Sequence, residues 1–172
     1  MLAGGERDLT AEPLDGATLE DLDPRAAQDL QRLAATEGRK PELGGIPVPE
    51  FLRTLGLLQG DQVTRAAVLL AGRSAALARW IPQHEVIYLR YRTQTRFDAR
   101  YSLQGPIPAV LDGVQRLLEE HLKIASVEAG GFGELTVPDL DRRSAREAVL
   151  NALVHRDYFL RQAVQIEVRR DL

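Results

Sequence analysis

The chain has 172 residues, of which 44% are apolar and 27% charged, and its formal net charge is −3. This balance is typical of a globular protein with one good core or two small ones, and it excludes a wholly disordered chain. The absence of cysteine excludes disulfides and thiolate metal sites, and the three histidines lie far apart in sequence, so no structural zinc site is expected. No apolar run approaches the roughly 20 residues of a membrane span, and the N-terminus lacks a secretory layout, so we expect a cytoplasmic protein without a membrane partner.

The N-terminal 23 residues are acidic and show no sustained hydrophobic period, which predicts a flexible linker or tail over 1–23. Asp23 before Pro24 marks a helix start, because Asp is a good N-cap and Pro suits the first helical position. Apolar residues then recur at helical spacing as far as Gly38. A second short helix is predicted to carry Leu52 and Leu58, which together with the first makes a helical segment over 24–60 and invites a helix-turn-helix interpretation.

The next segment, residues 61–138, predicts an α+β module. Residues 63–72 form a continuous apolar run bounded by glycines, which indicates a buried strand preceded by a turn of helix, and a short helix follows it up to Pro82. Residues 85–92 alternate as a strand. Residues 106–122 form the longest helical stripe, with His121 predicted to lie at its solvated end.

Residues 126–137 read as two strands around a glycine-rich hairpin turn, and residues 164–168 alternate as a final strand. The mixed order of helices and strands predicts an α+β fold with a mixed, mostly antiparallel sheet and packed helices. The remaining segment, 139–172, contains one helix before the final strand.

That C-terminal helix carries polar chemistry at helical spacing. Glu147, Asn151 and His155 are each four residues apart, so all three can project from one stripe while Val149, Leu150 and Leu153 face a core. Such a stripe offers a metal or phosphate site, or a polar rim.

Two starts are compatible with the sequence of this helix. If it begins at Ser144, Ser144 and Glu147 form a capping box and Glu147 bonds to backbone amides instead of doing chemistry. If Asp139 or Asp141 caps an earlier start, Glu147 falls in the second or third turn and its carboxylate is free. The position of the helix start therefore decides what Glu147 can do.

The segment Arg146-Glu-Ala-Val-Leu-Asn-Ala-Leu-Val-His-Arg-Asp-Tyr158 resembles the first ATP-binding box of Bergerat-fold (GHKL-type) ATPases. The similar variant occurs in bacterial proteins that combine a Schlafen/AlbA-type domain with such an ATPase-like domain and are described as predicted transcriptional regulators or as helicase-related (RecG-like). Upstream stretches, at 55–58, 63–72, 87–91 and 103–106, are similar to the region between the two domains of that family. The resemblance covers the chain from Glu20 onward.

The resemblance implies two site residues and a cofactor, MgATP. In Bergerat ATPases the box asparagine holds the magnesium ion that bridges the nucleotide phosphates, which by match is Asn151. The glutamate one turn earlier orients or deprotonates the attacking water, which by match is Glu147. Amide oxygen is a suitable magnesium ligand, and a carboxylate beside metal-bound water can act as a base.

The chain departs from the family pattern because it contains no Asp-x-Gly-x-Gly, the element that binds adenine. We therefore expect a piece of a longer protein, holding the inter-domain module and the start of an incomplete ATPase-like domain over 139–172. ATP hydrolysis is possible for a full-length protein, but we expect none from this chain alone.

Two other classes of function remain open. A DNA-binding regulatory module would use the C-terminal arginines as phosphate contacts, with Arg142, Arg143, Arg146 and Arg156 as the candidates and Arg161, Arg169 and Arg170 nearby. A structural or oligomerisation module would use the long apolar helix to position neighbouring domains, and a homo-oligomer is possible. DNA contacts of the resembled family are expected through domains outside this chain.

Overall fold

A computed structural model of the chain describes residues 9–121, 124–128, 134–138, 141–158, 160 and 162–169. The helices are α1 (Pro24–Thr36), α2 (Val48–Thr54), α3 (Arg65–Ala71), α4 (Ser74–Trp80), α5 (Ile107–His121) and α6 (Arg142–Val154). The strands are β1 (Leu58–Gln59), β2 (Gln62–Val63), β3 (Val86–Tyr91), β4 (Phe97–Leu103), β5 (Ile124–Glu128), β6 (Glu134–Pro138) and β7 (Val164–Arg169). The chain divides into two compact units, the first formed by residues 1–84 and 104–108 and the second by residues 85–103 and 109–172.

Helix α1 begins where the sequence predicts. The Asp23 side chain accepts hydrogen bonds from the backbone N–H groups of Arg25 and Ala26, at 2.8 and 3.2 Å, and Pro24 occupies the first helical position. These bonds favour the ionised carboxylate and therefore lower the pKa of Asp23. The backbone N–H of Ala26 has the larger effect and that of Arg25 the next largest. The predicted helix start is confirmed.

The acidic N-terminal segment is not a free tail over residues 9–23. Its apolar residues Leu14, Ala17 and Leu22 are buried. The backbone N–H of Leu14 donates to the Val63 carbonyl, and the Arg73 guanidinium donates to the Leu22 carbonyl at 3.1 Å. The prediction of a flexible tail is wrong for these residues, because three well-spaced apolar side chains suffice to anchor an otherwise acidic segment.

The second helix is shorter than the sequence indicates. Helix α2 ends at Thr54, and Leu58 lies in strand β1, which pairs antiparallel with β2 through Leu58 opposite Val63. The helix stops because Gly56 adopts a positive φ of 70°, a left-handed conformation that ends helices at little steric cost. The predicted extension of the helix to Leu58 is wrong.

The apolar run at 63–72 folds as helix α3 rather than as a buried strand. The Thr64 hydroxyl accepts a hydrogen bond from the Ala67 N–H at 3.2 Å and donates one to the Leu57 carbonyl at 3.0 Å, so Thr64 caps the helix and ties it to the preceding turn. The strand prediction failed because Ala67, Val68, Leu69 and Ala71 are all buried. A short helix that is covered on most sides loses the polar face that would reveal its period.

In the second unit, β3 forms the middle of a three-stranded sheet of order β4-β3-β7. Strand β3 pairs antiparallel with β4 and parallel with β7, and α5 covers one face through buried residues of its apolar stripe. The strand predicted at 85–92, the long helix and the final strand are confirmed. Strand β4 escaped the sequence analysis because it is mostly exposed and contains too few apolar residues to alternate clearly.

The two strands predicted at 126–137 are present as β5 and β6, paired antiparallel with Ile124 opposite Pro138. The glycine-rich turn between them, residues 129–133, lies outside the described residues. Three of the four strand pairings of the described chain are antiparallel and one is parallel. The fold is therefore α+β with a mostly antiparallel sheet arrangement, as predicted.

Candidate functional site

Helix α6 begins at Arg142 and is capped by Asp141. The Asp141 carboxylate accepts hydrogen bonds from both the backbone N–H and the hydroxyl of Ser144, each at 2.8 Å. Hydrogen bonding from Ser144, its backbone first and its hydroxyl second, lowers the pKa of Asp141. Glu147 consequently lies in the second turn and takes no part in capping, which decides between the two starts that the sequence left open.

The two faces of α6 have opposite characters. Ala145, Val149 and Leu153 are buried, and they recur every four residues along one stripe. The polar triplet Glu147, Asn151 and His155 is exposed on the other side of the helix. Leu150 was expected in the core, but it is 37% exposed because it lies between the two stripes.

The side chains of Glu147 and Asn151 make no hydrogen bond or ion pair with any described residue. They sit one helical turn apart, so their Cβ atoms are about 6 Å from each other. This pair presents a carboxylate and a carboxamide oxygen to solvent, which are hard donors of the kind that magnesium accepts together with water and phosphate ligands. Chemically, the face can hold a hydrated divalent cation through one or two protein oxygens.

The buried side of α6 has no room for a nucleotide. A crevice between α5 and α6 is lined by Leu111, Val114, Leu118, Ala145 and Val149, with Gln115, Arg142 and Arg146 at its rim. Its cavity is about 20 Å³, enough for one water molecule, whereas ligand pockets span about 300–1,000 Å³. A ligand of α6 would therefore have to approach its exposed face.

The candidate phosphate-binding arginines are scattered in environment. Arg142 is ion-paired with Glu119 at 3.3 Å, while Arg143 is exposed and Arg146 lines the crevice rim. Arg169 is paired with Glu167, and Arg161 and Arg170 lie outside the described residues. Among the described arginines, Arg142 and Arg146 therefore lie at the same crevice, whereas Arg169 is paired on β7.

Arg156 has a structural environment that the sequence did not reveal. Its guanidinium lies over the Tyr158 ring, 5.0 Å from the centroid, and donates a hydrogen bond to the Gln162 carbonyl. Burial lowers the pKa of Arg156, and burial also raises the pKa of Tyr158, whose hydroxyl donates to the Leu153 carbonyl at 3.2 Å. These contacts stabilise the segment that joins α6 to β7.

His121 is enclosed rather than solvated. Only 4% of its side chain is exposed, and its Nδ1 lies 3.2 Å from the Tyr88 hydroxyl. Its ring also contacts Tyr101, with centroids 5.8 Å apart. The predicted solvated helix end is wrong, because the sheet packs against the last turn of α5.

The β3–β4 hairpin forms a second charged surface, which was not predicted from the sequence. Residues 90–100 contain four arginines and the single acid Asp98. The signal was present as local charge, but strand β4, which carries Arg100, was not recognised.

Within the described ranges, no group of three or more His, Cys, Asp or Glu side chains could hold a metal ion. No helix in the same ranges is long and apolar enough to cross a bilayer.

The chain belongs to a family described as a domain of unknown function (DUF8451), whose model matches residues 1–87. The match covers the first segment of the first unit and ends at the start of β3.

Among solved structures, the crystal structure of the DIP2311 protein from Corynebacterium diphtheriae is similar over 93% of this chain, with a TM-score of 0.70 and 23% sequence identity. The chain spans 30% of the length of that protein. This likeness shows a shared fold across both units. A comparison with curated proteins finds no match.

Proposed function

We propose that this chain is part of a DNA-associated transcriptional regulator with a Bergerat-type ATP-binding domain, and that it is inactive as an ATPase by itself. The observation that carries the proposal is the cap of α6. Because Asp141 satisfies the first turn, Glu147 is available one turn before Asn151 on the exposed face of the helix.

The two residues fit the chemistry of the proposed cofactor. Asn151 would hold the magnesium ion through its amide oxygen, and the Glu147 carboxylate would orient or deprotonate water beside it. Bound MgATP would supply the phosphoryl group, and its magnesium ion would supply most of the positive charge that offsets the negative charge of the phosphates. Both side chains stand open to solvent, and an efficient site needs water excluded around the reacting group, which supports inactivity of the isolated chain.

A cytoplasmic location belongs to the same proposal, because the proposed partner is DNA. The resembled family contacts DNA through other domains, and Arg142 of α6 is already ion-paired with Glu119 in this chain.

Nucleotide titration followed by NMR amide shifts tests the proposal at the weak affinities expected here. With ATP and magnesium at millimolar concentration, we expect shifts at α6 residues 147–155 that require the metal and disappear in Asn151→Ala. Asp112→Asn, which alters an exposed side chain on α5, is the matched control and should leave the shifts unchanged. Equal shifts in wild type and Asn151→Ala, or no shifts at all, would remove the support for a nucleotide site.

Hydrolysis is measured separately as phosphate release. We expect no release above background from wild type. Turnover that disappears in Glu147→Ala would show that the chain is an active ATPase and contradict that part of the proposal. The variants Asn151→Ala and Glu147→Ala should keep the stability of wild type within about 0.5 kcal/mol, since both side chains are exposed and neither bonds to a described residue.

A further inference from the structure

The β3–β4 hairpin concentrates positive charge in a chain whose net charge is −3. Residues 90–100 hold Arg90, Arg92, Arg96 and Arg100 against the single acid Asp98. This local excess contrasts with the acidic N-terminal region. A partner of this hairpin is therefore expected to be an anion.

Three of the four guanidinium groups are available to such a partner. Arg90 is occupied, because its Nε and Nη2 donate to the two oxygens of Asp98 at 2.9 and 3.1 Å. Arg92, Arg96 and Arg100 are exposed, and their side chains form no hydrogen bond or ion pair with a described residue. Free guanidinium groups can donate two hydrogen bonds each to a phosphate.

The tip of the hairpin holds two of these arginines opposite each other. The backbone N–H of Arg92 donates to the Arg96 carbonyl at 2.9 Å, and the Thr93 hydroxyl accepts from the Arg96 N–H at 3.1 Å. Arg169 of β7 donates to the Gln94 carbonyl at 3.3 Å, which ties the turn to β7. Like charges in facing positions repel each other, so an anion bound between them would relieve a cost built into the fold.

An exposed aromatic ring lies on the same hairpin and shares a face with one of these arginines, Arg100. The strand register shifts between Arg90 and Tyr91, so Phe97 lies opposite Tyr91 and Arg100 lies opposite Leu89. Because Leu89 and Tyr91 are two residues apart on β3, Phe97 and Arg100 lie on the same face of the hairpin. Phe97 is 49% exposed, and its ring makes a T-shaped contact with the Tyr91 ring, with centroids 6.3 Å apart. An exposed ring next to the free guanidinium group of Arg100 can stack on a base while the arginine contacts the phosphate of that base.

We infer that the β3–β4 hairpin binds single-stranded nucleic acid, with Arg92, Arg96 and Arg100 on the phosphates and Phe97 against a base. An acidic peptide would satisfy the charges but offers no flat ring for Phe97. A duplex keeps its bases stacked inside and offers none either. This inference is independent of the nucleotide chemistry proposed for α6.

Fluorescence anisotropy with a labelled single-stranded oligothymidine tests the inference across a range of salt concentrations. The double variant Arg92→Gln/Arg96→Gln should weaken binding at least tenfold at low salt. It should also reduce the slope of log K against log salt by about 1.4, because each lost phosphate contact on a single strand removes about 0.7. Phe97→Ala should weaken binding about tenfold without changing that slope.

The matched control is Arg39→Gln/Lys40→Gln, which removes the same two charges from an exposed position in the first unit. It should change the affinity less than twofold, and circular dichroism should show that all variants keep the wild-type melting curve. Absence of oligothymidine binding, or equal weakening by both double variants, would overturn the inference. Polyglutamate or duplex DNA that binds as tightly, with no effect of Phe97→Ala, would overturn it in favour of a purely electrostatic surface.

Discussion

The Asp141 carboxylate accepts two hydrogen bonds from Ser144, one from its backbone N–H and one from its hydroxyl, both 2.8 Å long. This relationship fixes the first turn of α6 at Arg142. The Asp141 carboxylate therefore caps the helix, and the Glu147 carboxylate forms no hydrogen bond with a described residue. Ser144, which the sequence also allows as the N-cap residue, instead donates both hydrogen bonds to the Asp141 carboxylate.

Replacement of Asp141 by alanine should fray the first turn of α6, because the backbone N–H of Ser144 loses its acceptor. Amide hydrogen exchange should accelerate at residues 144–146, while Asp141→Asn, which retains an acceptor oxygen, should preserve most of the protection. Unchanged exchange in the alanine variant would mean that another group caps the helix.

The same cap should depend on pH in a defined direction. Hydrogen bonds from Ser144 lower the pKa of Asp141 in the folded chain, so the stabilisation is complete above the unfolded value of about 3.9 and is lost as the pH falls through the lower folded value. Exchange at 144–146, corrected for intrinsic rates, should accelerate in wild type over that acidic range. In Asp141→Asn it should stay flat, and a parallel acceleration there would assign the effect to another group.

Gln31 holds the turn after α1 in place. Its side-chain amide donates to the carbonyls of Leu43 and Ile46 at 2.6 and 2.8 Å, and the residue is buried. Gln31→Ala should lower the free energy of unfolding by about 1–3 kcal/mol, because the buried Leu43 carbonyl and the half-buried Ile46 carbonyl lose their donor. Gln28→Ala, on the exposed side of the same helix, should change it by less than about 0.5 kcal/mol in urea titrations. Similar losses in both variants would contradict the assigned role.

Arg156 and Arg143 carry the same charge but differ in their contacts, so replacing each separates the effect of lost contacts from the effect of lost charge. Arg156→Ala should lower the free energy of unfolding by about 1–2 kcal/mol, because it removes both the stacking on Tyr158 and the hydrogen bond to the Gln162 carbonyl. Arg143→Ala removes the same charge from an exposed position and should be nearly neutral. Thermal or urea unfolding of the two variants side by side measures the difference, and a neutral Arg156→Ala would show that its contacts do not stabilise the fold.

Tyr88 should control the alkaline limit of stability. Burial raises the pKa of Tyr88 to about 12, whereas an unfolded tyrosine titrates near 10. The folded chain therefore keeps a proton that the unfolded chain loses, so the stability that Tyr88 contributes is complete below pH 10 and declines as the pH rises towards 12. Tyr88→Phe should flatten the loss of stability between pH 10 and 12 in urea titrations. An identical decline in the variant would place the effect on Tyr158 or another group.

Elements with a clear local signal were predictable. The cap and first turn of α1 follow from Asp23 and Pro24 alone, because both residues act on atoms within three positions. Strand β3 and helix α5 follow from their hydrophobic periods. The spacing of Glu147 and Asn151 also places them on one helical face wherever the helix begins.

Other elements depend on contacts that are remote in sequence. Helix α3 was mistaken for a strand because neighbouring segments cover it on most sides and erase its period. Strand β4 has a weak pattern and exists because β3 supplies its hydrogen-bonding partners. Arg156 was predicted as a candidate phosphate contact, and its packing on the Tyr158 ring is set by the fold.

The sequence by itself determined the α+β class, the start of α1, the long helix and the alignment of Glu147 with Asn151, since each depends on local propensity and side-chain period. Only the tertiary structure decided that Asp141 caps α6, that residues 9–23 are anchored, and that a free arginine shares a face with an exposed ring on the β3–β4 hairpin. Those features are set by hydrogen bonds and burial between segments whose separation along the chain carries no local signal.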